Sequence, residues 1–486
     1  MPIFSRRAVL SRFAALAAVQ MMRKPSMARA LAMKIKEQPP ARDVISLSAL
    51  PAWDKTISTI SPEMMGLSYE SSQLSAPDFF SSANTELIGL FKKLSPRGVL
   101  RLGGNLSEYT QWTPQGASIA TDVPFRAVMP DPSSGKTIQP MPLTPTAIRN
   151  LRGFLNQTGW HAIYGLKLAH AEPALVVEEA KFVAETLGPR LISFQIGNEP
   201  NHYVLNRLRA PGYNFSNYFA EWSRLHSAVV KALPSAKFAG PDIAEDLNWV
   251  RQFAAAAPPS VVMLTGHHYA EGPPSDSSVT VEKLLSPDPN FDCHVEKIEA
   301  ISRSARIPYA MAETNSCYNA GKAGVSDVFA SALWAADYTL QLAQASQNGV
   351  YFHGGGAGLY TPIAGGSGKP FEPRPIYYGL LLCRDLLGCE MAPVTVTAHS
   401  ADVSIYALKH PNRIVVINKD ASDALINLPA NQPAFVVQRL AAPSPESKIG
   451  IRLTRQRLDK PLASVQVPKF SAAAITLERG SVAEAV

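Results

Sequence analysis

Residues Leu191–Tyr203 read LISFQIGNEPNHY. Six strand-forming positions run into Gly197-Asn198-Glu199-Pro200-Asn201, and Gly and Pro mark where a run of regular structure stops. A short apolar run bounded by turn residues reads as a strand buried in an α/β sheet. The unusual element is the acid. A turn needs no carboxylate, yet this strand ends by presenting Glu199 between an amide and a proline. Working outward, the same texture recurs at 64–70, 98–105, 162–169, 237–243, 261–269, 308–315 and 349–356.

Between most of these runs lie segments of helical periodicity. NTELIGLFKKL follows the first strand. TPTAIRNLRGFLNQTG, opened by Thr144 as a cap ahead of a proline, precedes the third. ALVVEEAKFVAETLG precedes the fourth and YFAEWSRLHSAVVKAL the fifth. Strands alternating with helices imply parallel pairing through crossovers, and eight such units predict a closed (β/α)8 barrel. The barrel is expected over 61–385. Beyond it, DVSIYALKH, NRIVVINKD, ALINLPA, AFVVQRLA, IRLTRQRL and AAAITLER are short, alternating and separated by Pro, Asn, Asp and Ser. They predict an all-β sandwich over 386–486, joined by strands within 33–60.

Composition excludes some classes. The net charge is +7, but Arg6, Arg7, Arg12, Arg23, Lys24 and Arg29 fall within the first 32 residues, which hold no acid. The remainder is close to neutral and carries no basic stripe, so a nucleic-acid partner is not expected. The paired arginine before the apolar run 13–22, followed by Ala28-Arg29-Ala30 and Ala30-Leu31-Ala32, reads as a twin-arginine-like export signal over 1–32. That places the protein in the periplasm or outside the cell. The run is too short to span a bilayer, and no later stretch is long and apolar enough to do so. Cys293, Cys317, Cys383 and Cys389 form no C-x-x-C pair, so neither a disulfide framework nor a zinc site is expected. The sequence leaves their pairing and the oligomeric state open. HGGGAGLY (353–360) lacks the Lys-Ser/Thr of a phosphate loop.

In a barrel of this kind, function sits at the C-terminal ends of the strands. The fourth strand ends in Asn198-Glu199-Pro200 and the seventh in Ala312-Glu313-Thr314-Asn315. Two carboxylates facing across one pocket suit glycosidic cleavage: one protonates the leaving oxygen, the other attacks the anomeric carbon or activates water. A raised pKa on one of them would divide the labour. No metal or other cofactor is needed. His267 and His268 read as positioning or core histidines, and Cys317 as a small packed side chain.

Asn-Glu-Pro after strand four and Glu after strand seven resemble the clan A glycoside hydrolases. More narrowly, QIGNEPN, TGHHYAEG and AETNSCYNAGKAGVSDVFASALWAADY resemble glycoside hydrolase family 79, which holds β-glucuronidases and heparanases. The likeness covers roughly 60–390. It implies Glu199 as general acid/base and Glu313 as nucleophile of a retaining displacement, with carboxyl groups about 5–5.5 Å apart. It implies Asn198 on the sugar 2-hydroxyl and Tyr269 as donor to Glu313. Tyr318 and the backbone N–H groups after it would hold the uronate carboxylate. Asn319 and Ala320 stand where relatives carry glycine; Asn adopts positive φ readily, Ala less so. Glu70, Asn105 and Tyr360 would line the same subsite, although Glu70 could instead be an ion-pair partner of Arg101. The implied activity is an exo-acting β-glucuronidase that releases terminal glucuronic acid, 4-O-methylated or not, from a glycan or glycoside. The competing readings are an endo-acting, heparanase-like hydrolase, a related glycosidase for a neutral sugar, and a carbohydrate-binding barrel without turnover.

Overall fold

The computed structural model describes residues 44–116, 140–355, 358–366, 368–397 and 402–478. The export reading of residues 1–32 lies outside them. Eight strands close into a parallel barrel: β1 (Met65–Glu70), β2 (Val99–Gly103), β3 (His161–Leu166), β4 (Leu191–Ile196), β5 (Phe238–Ala244), β6 (Val261–Glu271), β7 (Tyr309–Cys317) and β8 (Gly349–Gly354). Each pairs with the next in sequence, and β8 returns to β1.

Helices α1 (Thr85–Leu94), α2 (Pro145–Thr158), α3 (Pro173–Leu187), α4 (Phe215–Ala232), α5 (Leu247–Ala256), α6 (Val281–Leu285), α7 (Pro289–Ala305), α8 (Phe329–Gln344) and α9 (Pro375–Arg384) follow the strands in turn. Their ends follow local chemistry. Thr144 accepts from the Ala147 N–H at the start of α2, Pro145 occupies a position whose N–H would have no partner, and Gly159 closes the helix at φ 81°.

The period of two in the strands sorts side chains between two cores. In β2, Leu100 and Leu102 join the core under the helices, whereas Val99 joins Ile163, Ala239, Met263, Ala310, Ala312 and Tyr351 in a separate cluster inside the barrel. Arg101 shares the inward face of β2 with Val99. Polar side chains therefore enter the barrel interior by the same alternation that fills it.

The remaining strands form two main sheets. One orders Val394–Thr397, Ile45–Pro51, Ala424–Asn427 and Ser464–Val467. The other runs from Ser58–Thr59 through Glu390–Ala392, Val403–Leu408, Arg413–Asn418, Ser471–Leu477 and Ala434–Ala441 to Arg452–Leu462. Alternation again divides the residues. Ile414 and Val416 pack with Leu47, Ile426 and Val465 between the sheets, while Val415 and Ile417 belong to the core shared with the barrel. The strands before the barrel thus complete the accessory β-layers. Helix α8 is buried almost all round, as expected for a helix enclosed on several sides. Its one acid, Asp337, accepts from Lys419 at 2.7 Å, Tyr406 at 2.7 Å and Ser404 at 3.0 Å, so the charge is compensated by the accessory sheet.

The four cysteines are unpaired. Burial pushes the Cys317 thiol up to about 11, which agrees with a packed rather than nucleophilic side chain. Among the described residues, no helix is long and apolar enough to cross a membrane.

Candidate active site

Two irregularities decide what reaches the mouth of the barrel. In β7, Met311 pairs with Gly266 of β6 and Val350 of β8. The next pairs are Glu313 with His267 and Thr314 with Phe352. Relative to both neighbours, β7 carries one extra residue. Such a bulge breaks the period of two and re-aims a side chain. Ala312 lies in the interior cluster, and Glu313 beside it also turns inward. In β5 the register with β6 passes from Pro241–Thr265 to Ile243–Gly266, leaving Asp242 as the extra residue at φ 62°. Asp242 thereby enters the same interior.

Arg101 organises the floor. It is fully buried, and all five of its N–H donors are used. Nε donates to Gln195 Oε1 at 3.0 Å. Nη1 donates to Ser68 Oγ at 3.0 Å and Glu313 Oε2 at 2.7 Å. Nη2 donates to Asn198 Oδ1 at 2.7 Å and to Asp242 Oδ2. The alternative of Glu70 as an ion-pair partner of Arg101 is therefore not realised; Glu70 instead accepts from the Leu106 N–H at 2.9 Å.

The predicted site residues come together at this end of the barrel. Glu199 leaves β4 in the left-handed region, φ 47°, its N–H donating to the Asp242 carbonyl. Such a conformation costs a non-glycine residue about 1–3 kcal/mol and persists where surroundings over-determine it. Here Glu108 supplies much of that restraint. Its buried carboxylate accepts from the N–H groups of Leu168 (2.9 Å), Ala169 (2.7 Å) and Asn198 (3.1 Å), and from the Tyr203 hydroxyl. Asn198 is fixed by Arg101 and the Gly104 N–H on its oxygen and by Asn105 on its nitrogen, 3.2 Å away. The Tyr269 hydroxyl donates to Glu313 Oε1 at 2.7 Å. Tyr360 lies 6.1 Å from Tyr269, ring to ring, and Tyr318, 39% exposed, lies edge-on to it at 6.4 Å. Gly272 makes room for Tyr318: a Cβ there would stand 2.3 Å from its ring.

The loop after Tyr318 resolves the departure from glycine. Asn319, Ala320 and Gly321 all take positive φ, 56°, 68° and 86°, and the Ala320 carbonyl is anchored by the Leu359 N–H at 2.7 Å. A β-branched side chain at φ 68° meets the backbone more severely than alanine. Ala320→Val is therefore expected to lower stability by about 1–3 kcal/mol, read as a reduced thermal midpoint.

Electrostatics depart from the expectation of one raised carboxyl pKa. Burial opposes ionisation of Glu199, but His202 and His267 overcome it and hold Glu199 well below the usual range. Burial likewise opposes ionisation of Glu313, and the positive charges around it, His267 and Arg101 among them, bring it below its ordinary value. Of the three acids named from the sequence, the one pushed upward is Glu70, to about 8, by burial and the nearby Glu313 charge. The reason is the cationic floor beneath the two acids, which the strand-end motifs do not reveal.

Glu199, His267 and Glu313 present one ligand-type atom each within 4.8 Å of one another. A metal would find these atoms already taken. Glu313 is bound by Arg101 and Tyr269, and His267 faces Glu199 at 2.9 Å and Asp242 at 3.0 Å. One oxygen of Glu199 and one of Glu313 thus lie within 4.8 Å of each other, a close pairing of acids of the kind that a double displacement uses.

Sequence reasoning missed Asp242, Gln195, Glu108 and His202, and named Arg101 only as a structural partner. Glu108 and His202 sit on short turns without a motif. His268 is a core residue, stacked 5.8 Å from Tyr338 and 4.5 Å from Phe291, ring to ring.

No protein-family model matches the chain. It is 25% identical over 386 residues to a β-glucuronidase of Aspergillus niger, covering 71% of this chain and 68% of that protein. It is 25% identical over 250 residues to a β-glucuronidase of Neurospora crassa, covering 46% of this chain and 44% of that one. The solved structure of a 4-O-α-L-rhamnosyl-β-D-glucuronidase from Fusarium oxysporum 12S superposes with a TM-score of 0.67 at 15% identity, over 89% of this chain and 100% of that chain. Barrel, paired acids and relatives together define a glycoside hydrolase. Within that class the chain is β-glucuronidase-like.

Proposed function

We propose that the protein is an exo-acting, retaining β-glucuronidase that releases terminal β-D-glucuronic acid from a glycan or glycoside. The observation that carries the mechanism is the placement of Glu199 and Glu313 oxygens within 4.8 Å across one pocket. Glu313 is the nucleophile: Arg101 and Tyr269 keep it ionised and aimed at the anomeric carbon. Glu199 is the acid/base. Asn198, with its oxygen bound to Arg101 and Gly104, offers its remaining N–H to the sugar 2-hydroxyl. The run of left-handed residues 319–321 supports a uronate over a neutral sugar, since successive N–H groups in such a turn gather into an anion-binding nest. Tyr318, Glu70, Asn105 and Tyr360 complete the subsite.

Hydrolysis of an aryl β-D-glucuronide, with the aryl β-D-glucoside alongside, tests the substrate; proton NMR of the first-formed sugar tests the stereochemistry. The expected outcome is turnover of the glucuronide alone, with the β-anomer appearing first. Turnover of the glucoside alone would replace the uronate by a neutral sugar. Cleavage of internal bonds in a glycosaminoglycan without aryl glucuronide turnover would favour endo action, and binding without any turnover would favour a non-catalytic barrel.

We also propose export through the segment 1–32. Recovery of a protein beginning at Leu31 or Met33 outside the cytoplasm would support it, and recovery with the segment intact would count against cleavage.

A further inference from the structure

Glu199 meets a histidine at each oxygen. His202 lies 3.5 Å from Oε2, 40% exposed; His267 lies 2.9 Å from Oε1, fully buried. We propose that His267, held by Asp242, stores the catalytic proton of the free enzyme and passes it to Glu199 once substrate fills the pocket. The inference rests on the reading of Glu199 as the acid/base. His267 and Asp242 act through Glu199 and are positioning residues.

The geometry asks for a proton between His267 and Glu199. His267 Nδ1 faces Glu199 Oε1, and Nε2 faces Asp242 Oδ1 at 3.0 Å. A neutral imidazole has one N–H for two acids, so the Nδ1 contact needs a further proton, on the ring or on Glu199; Asp242 at Nε2 and the approach of Glu313 to Nδ1 favour the ring. The surrounding charges point the same way. Glu199 comes from the end of β4, Asp242 from β5, and Glu313 of β7 approaches Nδ1 to 4.0 Å. The facing cation is Arg101 of β2, whose Nη2 lies 3.4 Å from Nε2 but whose donors are all spent on other acceptors. His202 reaches Glu199 from the open side. His353 of β8 lies 3.6 Å from Glu313 and is driven toward its neutral form by burial. Without that shared proton, three carboxylates would face one buried guanidinium. Burial opposes that proton, yet the Asp242 and Glu313 charges outweigh it and raise His267 to about 10. Because this lies above the ordinary value, neutral pH favours the imidazolium. Its stabilising contribution fades as pH rises through about 10.

Each bond change balances. A bound sugar excludes water from the His267–Glu199 ion pair, and loss of solvent favours its neutral form, imidazole beside carboxylic acid. The His267 Nδ1–H bond breaks and a Glu199 O–H bond forms. The imidazole is then neutral, with Nε2–H still donated to Asp242. Glu199 gives the proton to the leaving oxygen as its bond to C1 breaks and the bond from Glu313 forms. In the second half Glu199 takes a proton from the attacking water, the C1–Glu313 bond breaks, and the proton returns to His267. Over the cycle the enzyme gains and loses none.

The test pairs two readouts on the whole protein. The first is the nitrogen-15 spectrum of histidine-labelled wild type titrated from neutral to alkaline pH. The second is the pH profile of kcat/KM on an aryl β-D-glucuronide for wild type, His267→Gln and Asp242→Asn. We expect one histidine to keep imidazolium shifts on both nitrogens above pH 8, and to lose them in Asp242→Asn. We expect the alkaline limb of His267→Gln to move down by about one pH unit or more, because the carboxyl must then hold its own proton. Neutral-imidazole shifts for every histidine at pH 8, or an alkaline limb that does not move in a folded His267→Gln, would overturn the proposal. If that variant fails to fold, the wild-type spectrum decides alone. An imidazolium signal without glucuronide turnover would retire the substrate reading and leave the proton placement standing. A neutral signal with full turnover would do the reverse.

Discussion

Glu313→Gln is expected to lose glucuronide turnover by on the order of 10⁴-fold or more, because it removes the atom that forms the covalent intermediate. Glutamine keeps the volume; its oxygen can still accept from Arg101 while its amide N–H turns to the Tyr269 hydroxyl oxygen, so the fold should survive. Glu199→Gln should be less damaging, by about 10²–10⁴-fold. The deficit should shrink on aryl glucuronides with very acidic leaving groups, which need no proton to depart. The discriminating measurement is azide rescue of the two alanine variants. With Glu313 truncated, azide can attack the free face of the intact substrate and yields the inverted glycosyl azide. With Glu199 truncated, azide attacks the glycosyl–Glu313 intermediate and yields the retained one. The opposite pairing of products would exchange the two roles. Equal and unrescued losses would remove both residues from the chemistry.

Arg101→Met is expected to produce the largest loss of stability of any single change at the site, about 3–5 kcal/mol. The side chain is fully buried and its five donors meet five acceptors, two of them the carboxylates of Asp242 and Glu313. Methionine fills much of the volume but leaves Asp242 to His267 and Gln195 and Glu313 to Tyr269, one buried cation short. Arg101→Lys should recover only part of the loss, since one ammonium cannot span ligands from β1, β4, β5 and β7. Thermal unfolding of the two variants beside Asp242→Asn provides the check. A drop of less than about 1 kcal/mol in Arg101→Met would mean that water or rearrangement replaces the guanidinium, and that the network does not hold the acids in place.

The two effects are linked by topology. The residues that aim Glu313 and Glu199 come from different strands, and the barrel brings them together only when it closes. A mutation in the floor should therefore be felt in both stability and turnover.

Several parts of this arrangement were legible in the chain because they depend on local rules. Alternating strands and amphipathic helices set hydrophobic periods that survive without knowledge of neighbours, so the eight strands, the barrel and the β-rich accessory layers could be read directly. The acids at Glu199 and Glu313 were legible because each stands at a strand end, where a barrel gathers its chemistry. Tyr269 and Asn198 came from the family resemblance rather than from that placement. What could not be read is which way side chains point once the period of two is interrupted. The extra residue in β7 puts both Ala312 and Glu313 inside, and the extra residue in β5 does the same for Asp242. Bulges arise from the register between strands far apart in sequence, so no local pattern announces them. For the same reason Arg101 looked like one basic residue among many until closure surrounded it with five acceptors. The sequence alone determined the barrel, its accessory sheets and the pair of acids. Only the tertiary structure decided their charge states, because these depend on the cations and carboxylates that barrel closure brings to within about 4 Å of each other.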